Sequence, residues 1–189
     1  GGGKVMLDGR LLGTDADSNR VMKVYVAADK VVTLKNLTFQ HGFAKDTIGE
    51  YLAPVGGGGG VFAVDTMSGS FMAENCSFEH NTSTIRGGGL RLIGNGPTSK
   101  VMNCDFIENS SLGVNNGDGG GLHTNNSVVM GCTFTGNHAE DQGGGLYAFP
   151  ATISDCHFES NVSLDQGGGV YLSGTEFLSD TGTIVGCSF

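Results

Sequence analysis

The stretch Asn103-Cys104-Asp105-Phe106-Ile107-Glu108-Asn109, followed by Gly119-Gly120-Gly121-Leu122, is one copy of a pattern that runs through the chain. Upstream, its first half reads Asn36-Leu37-Thr38-Phe39 and Asn75-Cys76-Ser77-Phe78. Downstream it reads Gly131-Cys132-Thr133-Phe134, Asp155-Cys156-His157-Phe158 and Gly186-Cys187-Ser188-Phe189. Three residues after Phe come Asn81, Asn109, Asn137 and Asn161, with Gly42 in the earliest copy. Glycine blocks alternate with these motifs, and each precedes an apolar residue: Gly56 to Gly60 before Val61, Gly87 to Gly89 before Leu90, Gly119 to Gly121 before Leu122, Gly143 to Gly145 before Leu146, and Gly167 to Gly169 before Val170. Phe78, Phe106, Phe134, Phe158 and Phe189 are spaced 28, 28, 24 and 31 residues apart. Fixed motifs at variable spacing mean loops of differing length on a constant frame.

Leu34, Ala73, Val101, Val129, Ile153 and Ile184 lie three residues before the Cys or Leu position, and Phe lies two after it. A step of two keeps side chains on one face of a strand, whereas a step of three turns a corner. The spacing therefore predicts a strand ending at the aliphatic residue, a bend such as Glu74-Asn75, and a second strand with Cys and Phe inward. The glycine block opens a third strand, with Val61/Ala63, Leu90/Leu92, Leu122/Thr124, Leu146/Ala148 and Val170/Leu172 inward. Strands this short cannot bury their apolar face without an equivalent layer above and below. Stacked layers align equivalent residues in columns of Phe, Cys/Leu and aliphatic side chains, with Asn amides bonding from layer to layer. Parallel crossovers are overwhelmingly right-handed. The expected fold is all-β: a right-handed parallel β-helix, a solenoid of about six coils with three short strands per coil, on the order of 30 Å long. Residues 1–42 form its first, less regular coil, with Val5-Met6-Leu7-Asp8-Gly9 and Val21 to Val26 as strands, and residues 43–189 carry the regular coils.

Composition agrees. Glycine reaches 34 residues with only 3 prolines, and the recurrence of glycine in blocks argues for repeated tight turns, not disorder. A net charge of −9 with 10 Lys and Arg leaves no basic footprint for nucleic acid. No run of about 18 apolar residues is present, so membrane insertion by this segment is not expected. The chain opens on Gly1-Gly2-Gly3 without a basic and hydrophobic leader and stops within a repeat at Phe189. It reads as a single β-helix segment of a longer protein.

With these residues in view, the chain resembles the repeats of polymorphic outer-membrane proteins and their pectate-lyase-like relatives. Those repeats pair a Gly-Gly-Ala-aliphatic motif with Phe-x-x-Asn, and Leu34-Lys35-Asn36-Leu37-Thr38-Phe39-Gln40-His41-Gly42 looks like their opening coil. The similarity covers roughly residues 4 to 189. It departs from the pattern in carrying Gly instead of Ala at the third position of every block and in including no translocating barrel. The resemblance implies an exported surface protein, often adhesive. It implies no particular ligand, because one fold hosts lyases, hydrolases, adhesins and filament subunits.

The cysteines Cys76, Cys104, Cys132, Cys156 and Cys187 share a column with Leu37. That column asks for a small hydrophobe, and parallel Cβ vectors suit a disulfide poorly, so free buried thiols are expected. Asp118, Asp141 and Asp165 precede glycine blocks and would offer calcium a stack of oxygens, although Asp also suits a turn before Gly and Arg86 stands nearby in an adjacent coil. The position between Cys and Phe holds Thr38, Ser77, Asp105, Thr133, His157 and Ser188, with one Asp and one His too far apart for acid-base work. His41 and His80 occupy equivalent turns. The outward column of the post-glycine strand is Phe62, Arg91, His123, Tyr147 and Tyr171, a row of aromatic faces for sugar rings or a partner protein, or else a surface covered by a loop or a neighbouring rod. Six sequons, at Asn36, Asn75, Asn81, Asn109, Asn125 and Asn161, would take glycans in a secreted eukaryotic protein.

The expected function is a non-catalytic structural or adhesive rod of an extracellular or cell-surface protein, without a cofactor. Its partners would be cell-surface glycans or proteins, or neighbouring copies in a glycosylated fibre. The alternative is a calcium-dependent polysaccharide lyase or glycoside hydrolase of the pectate-lyase-like fold. Ice binding needs a regular Thr array, which the mixed outward column lacks.

Overall fold

The computed structural model describes residues 5–9, 19–45, 57–65, 68–94, 99–174 and 182–189. Gly1 to Lys4, residues 10–18 of the expected first coil and Gly56 of the first glycine block lie outside the described residues. Every strand pairing is parallel, and each joins equivalent residues of successive repeats: Phe78 pairs with Phe106, Phe106 with Phe134, and Phe134 with Phe158. Five complete coils result, flanked by Val5–Asp8 on one side and by Val170–Leu172 and Thr183–Val185 on the other.

The path within a coil is simplest where the repeat is shortest. Leu146–Ser154 is one nine-residue strand, His157–Glu159 the next and Val162–Ser163 the last. The three belong to three different sheets, of ten, six and five strands respectively. Three sheets thus run along the rod, as three strands per coil predict, but the third is not the post-glycine strand. The post-glycine strand and the strand ending at the aliphatic residue lie in one sheet, fused in Leu122–Met130 and Leu146–Ser154 and separate elsewhere, as Val61–Asp65 and Ser70–Glu74 or Leu90–Ile93 and Ser99–Met102. The third face consists instead of two-residue strands, among them Thr82–Ser83, Ser110–Ser111 and His138–Ala139. Extra chain also enters at the corner before the glycine block, in residues 112–118.

The corners are fixed by residues that accept a left-handed backbone. The bend before Cys has positive φ at Asn36, Asn75, Asn103, Gly131, Asp155 and Gly186. Asn and Asp tolerate this region better than other non-glycine residues because their short polar side chains bond locally. Gly87 opens its block at φ 64°, and a Cβ there would lie 2.5 Å from the Leu90 carbonyl oxygen. The third position is closed for a different reason. A Cβ on Gly89 would sit 2.7 Å from the Gly121 carbonyl oxygen and 3.1 Å from the Asn109 side chain. The layer above therefore leaves no room for the Ala of the resembled repeats.

Inside the rod the columns form as expected. Phe39, Phe78, Phe106, Phe134, Phe158 and Phe189 stack with ring centroids 4.7–5.2 Å apart, each contact adding about 0.5–1.5 kcal/mol beyond area burial. The Asn81 Nδ2 donates to Asn109 Oδ1 at 3.0 Å and to Phe39 O at 2.9 Å. Asn109 repeats this toward Asn137 and Phe78, and Asn137 toward Asn161 and Phe106. The same oxygens accept backbone N–H groups, as Asn109 Oδ1 does from Asn81 N at 3.0 Å. Such a fully satisfied buried polar row specifies layer register as well as stabilising it.

Candidate functional site

One file of side chains on the outer face of the ten-stranded sheet differs from the rest of the rod in chemistry. Backbone register places Lys23 opposite Phe62, Phe62 opposite Arg91, Arg91 opposite His123, His123 opposite Tyr147 and Tyr147 opposite Tyr171. Three cations surround the Phe62 ring: Arg20 and Lys23 each at 5.5 Å from its centroid and Arg91 at 5.9 Å. Arg20 is held in place by its Nε donating to the carbonyls of Gly57 and Gly58, both at 3.1 Å. His123 stacks on Tyr147 at 4.9 Å and 3°, and Tyr147 on Tyr171 at 5.4 Å and 18°.

Of the two expectations for this column, an open aromatic surface and a covered one, the geometry is that of a largely covered file. Phe62 is 0% exposed, Arg91 7% and His123 4%, while Tyr147 and Tyr171 are half-buried. The reason is the layer repeat itself. At about 4.8 Å per layer neighbouring rings stack on one another instead of lying flat on the sheet, so their faces are already occupied and their edges point outward. Arg20 and Lys23 belong to the less regular first coil. The signal that could have found Lys23 is the alternation Lys23-Val24-Tyr25-Val26, which aligns with Phe62-Ala63-Val64-Asp65.

Beside the file lies a partly buried ion pair. Arg86 Nε donates to Asp118 Oδ2 at 2.8 Å and a second guanidinium nitrogen donates to Asn116 Oδ1 at 3.2 Å. Burial pushes the Asp118 carboxyl up from its ordinary range, with Arg86 pulling the other way. Burial holds the His123 imidazole well below its ordinary range, with Arg91 and Arg86 adding to the effect. Burial likewise raises the Tyr147 phenol, with Asp118 contributing. His123 Nδ1 is buried and has no hydrogen-bond partner among the described residues.

The register separates the three acidic residues considered for calcium. Gly119 N–H donates to Gln142 O and Gly87 N–H to Asp118 O, so Asp118 shares a column with Arg86, Gln142 and Gln166, one position away from Asp141 and Asp165. Asp118 is paired with Arg86, and Gln142 reaches Asp165 at 3.4 Å. Among the described residues no three His, Cys, Asp or Glu side chains are placed to hold a metal ion. His41 and His80 stack at 5.4 Å, each facing its own carboxylate, Asp8 at 3.5 Å and Glu108 at 3.2 Å. His157 Nδ1 lies 2.7 Å from Ser188 Oγ and its Nε2 lies 3.8 Å from Glu159. Both His157 and Glu159 are more than half exposed, so water screens the set.

All five cysteines are free. Hydrogen bonds to the neighbouring thiols of the file, together with burial, hold Cys76 and Cys132 above the ordinary thiol range. The sequons divide sharply. Asn81 and Asn109 are fully buried in the amide row, which closes both to glycans, and the Asn161 amide donates to Phe134 O. Asn125 is half-buried, whereas Asn36 and Asn75 are exposed at their corners, 2.5 Å apart through Asn75 Nδ2 and Asn36 Oδ1. Sequence reasoning missed one buried carboxylate: Asp65 is 0% exposed and accepts a hydrogen bond from the Ser99 hydroxyl, which in turn accepts the Phe71 N–H at 2.9 Å. The pair closes the interrupted seam of the large sheet.

Among the described residues no helix is long and apolar enough to cross a membrane. Comparison with curated proteins and with solved structures returns no match. The family model described as a right handed beta helix region matches residues 13–189, and with its parallel coils, inward columns and glycine corners the chain belongs to that right-handed β-helix family.

Proposed function

We propose that this segment is a non-catalytic rod of an extracellular or cell-surface protein, structural or adhesive, in the manner of the polymorphic outer-membrane repeats it resembles. The observation that supports the reading is where the repeated side chains are directed. Phe, Asn, Cys and glycine blocks all bind the next layer, and even the outer aromatic faces stack on each other. The repeats thus build stiffness, and recognition falls to the ring edges and the inserted loops. Cell-surface glycans or proteins, or further copies in a fibre, are the partners this reading names. Incubating the segment with acidic and neutral polysaccharides should release no new chain ends, while surface-immobilised glycans or whole cells should retain it. Turnover of any of these polysaccharides would end the reading.

A second reading, a polysaccharide lyase or hydrolase, is favoured by the gathering of His123, Tyr147 and Asp118, with shifted proton affinities, beside Arg91, a pattern that functional sites share with structural ion-pair networks. Under that reading Tyr147→Phe abolishes polysaccharide cleavage.

A further inference from the structure

The segment 112–118 crosses the corner before the third glycine block as a strap. It is fastened to the rod by Leu112 N–H donating to Ser83 O at 2.8 Å, and by Gly87 N–H donating to Asp118 O at 2.9 Å. It is fastened again by the Arg86 side chain, which grips Asn116 and Asp118 together. Its outer surface is open: Leu112 is 43% exposed and Val114 73%, with Asn115 exposed beside them. Arg86 is also one of the two cations whose charge bears on His123, the other being Arg91. The imidazole is stacked on Tyr147, shut from water, and has no acceptor for a proton on Nδ1 among the described residues.

We propose that His123 is an acid-sensitive latch for this strap. A proton on the imidazole places a third positive charge beside Arg91 and Arg86 in a dry site. Relief comes from Arg86 moving outward, which releases Asn116 and Asp118 and frees the strap, while the Phe and Asn rows beneath carry no titrating group and stay stacked. The groups that bear on His123 are Arg91 from Leu90–Ile93, Tyr147 from Leu146–Ser154 and Arg86 from the segment before its glycine block, and Arg86 is in turn paired with Asp118, on which Asp141 bears.

The two acid-base groups act with opposite sign. His123 binds its proton more weakly in the closed form than in the open one, so acidification through the ordinary imidazole range favours opening. Asp118 binds its proton more tightly when closed, so lower pH, in the upper carboxylate range, favours closing. Release is therefore greatest between those ranges. The latch rests on neither functional reading above.

Hydrogen exchange of the whole chain, corrected for the intrinsic pH dependence of exchange, tests it. From about pH 7.5 to about pH 5, protection of the amides in 112–118 should fall roughly tenfold, while amides of Thr133–Thr135 and His157–Glu159 hold. In His123→Phe, which keeps a ring in the stack, strap protection should not change with pH. Equal protection at both pH values in the wild type, or unchanged pH dependence in His123→Phe, overturns the latch. Should that variant fail to fold, NMR of the labelled wild-type imidazole decides: titration in the ordinary histidine range also overturns it.

Discussion

The inner phenylalanine file and the outer mixed file stack at nearly the same distance, 4.7–5.2 Å for the phenylalanines and 4.9–5.4 Å for His123, Tyr147 and Tyr171. They differ in what each step contains. The inner file repeats one residue with apolar neighbours on every side, whereas the outer file runs Lys, Phe, Arg, His, Tyr, Tyr under a partial cover of charged side chains. The same backbone repeat therefore enforces identity only where no water or counter-charge can adjust. Outside, any flat or cationic group that stacks at the layer spacing is accepted.

The largest test of this contrast is Phe106→Ala. Removing one ring from the middle of the inner row leaves a cavity between Phe78 and Phe134, and should cost about 3–5 kcal/mol in denaturant unfolding. A loss under about 1 kcal/mol would mean the coils collapse to fill the gap and the row is not a rigid spine. Next comes Asn109→Ala, which strips Asn81 N–H and Phe78 O of their partners and should cost about 2–3 kcal/mol. Asn75→Ala, exposed but on a left-handed corner, should cost about 1 kcal/mol.

The outer file should instead respond to pH. His123 is held neutral in the fold, so its folded proton affinity lies below its unfolded one. Stability is fully present above the ordinary imidazole range and falls as pH drops below it, by at most about 1.4 kcal/mol per pH unit. In thermal melts across that window, His123→Phe should flatten the slope, and an unchanged slope would assign it to other groups. Smallest is Tyr147→Phe, which keeps the stack and removes only the hydroxyl at the edge. Its unfolding free energy should match the wild type within about 0.5 kcal/mol.

The inner columns were legible in the sequence because a residue facing the axis meets only its own equivalents, so periodicity reports contact directly. Two features escaped for physical reasons. Strands of two residues, such as Ser110–Ser111, are too short to alternate, so the third face left no trace. The offset of Asp118 from Asp141 could have been read by aligning the glycine blocks, since Asp118 directly precedes its block whereas Asp141 stands one residue earlier, and the backbone bonds confirm that Asp118 aligns with Gln142. The cover over Phe62 was illegible for another reason: Arg20 and Lys23 lie some forty positions away, in the coil whose repeat is weakest.

The two places where extra chain enters, at the corner before the glycine block and in mid-sheet, have a further meaning. Lengthening the chain there adds material sideways and leaves the axial repeat untouched, because the Phe, Cys and Asn columns lie outside both seams. Such a frame separates inheritance of stiffness from inheritance of surface: residues at the two seams are free to lengthen and diversify over generations, while each layer still fits the next.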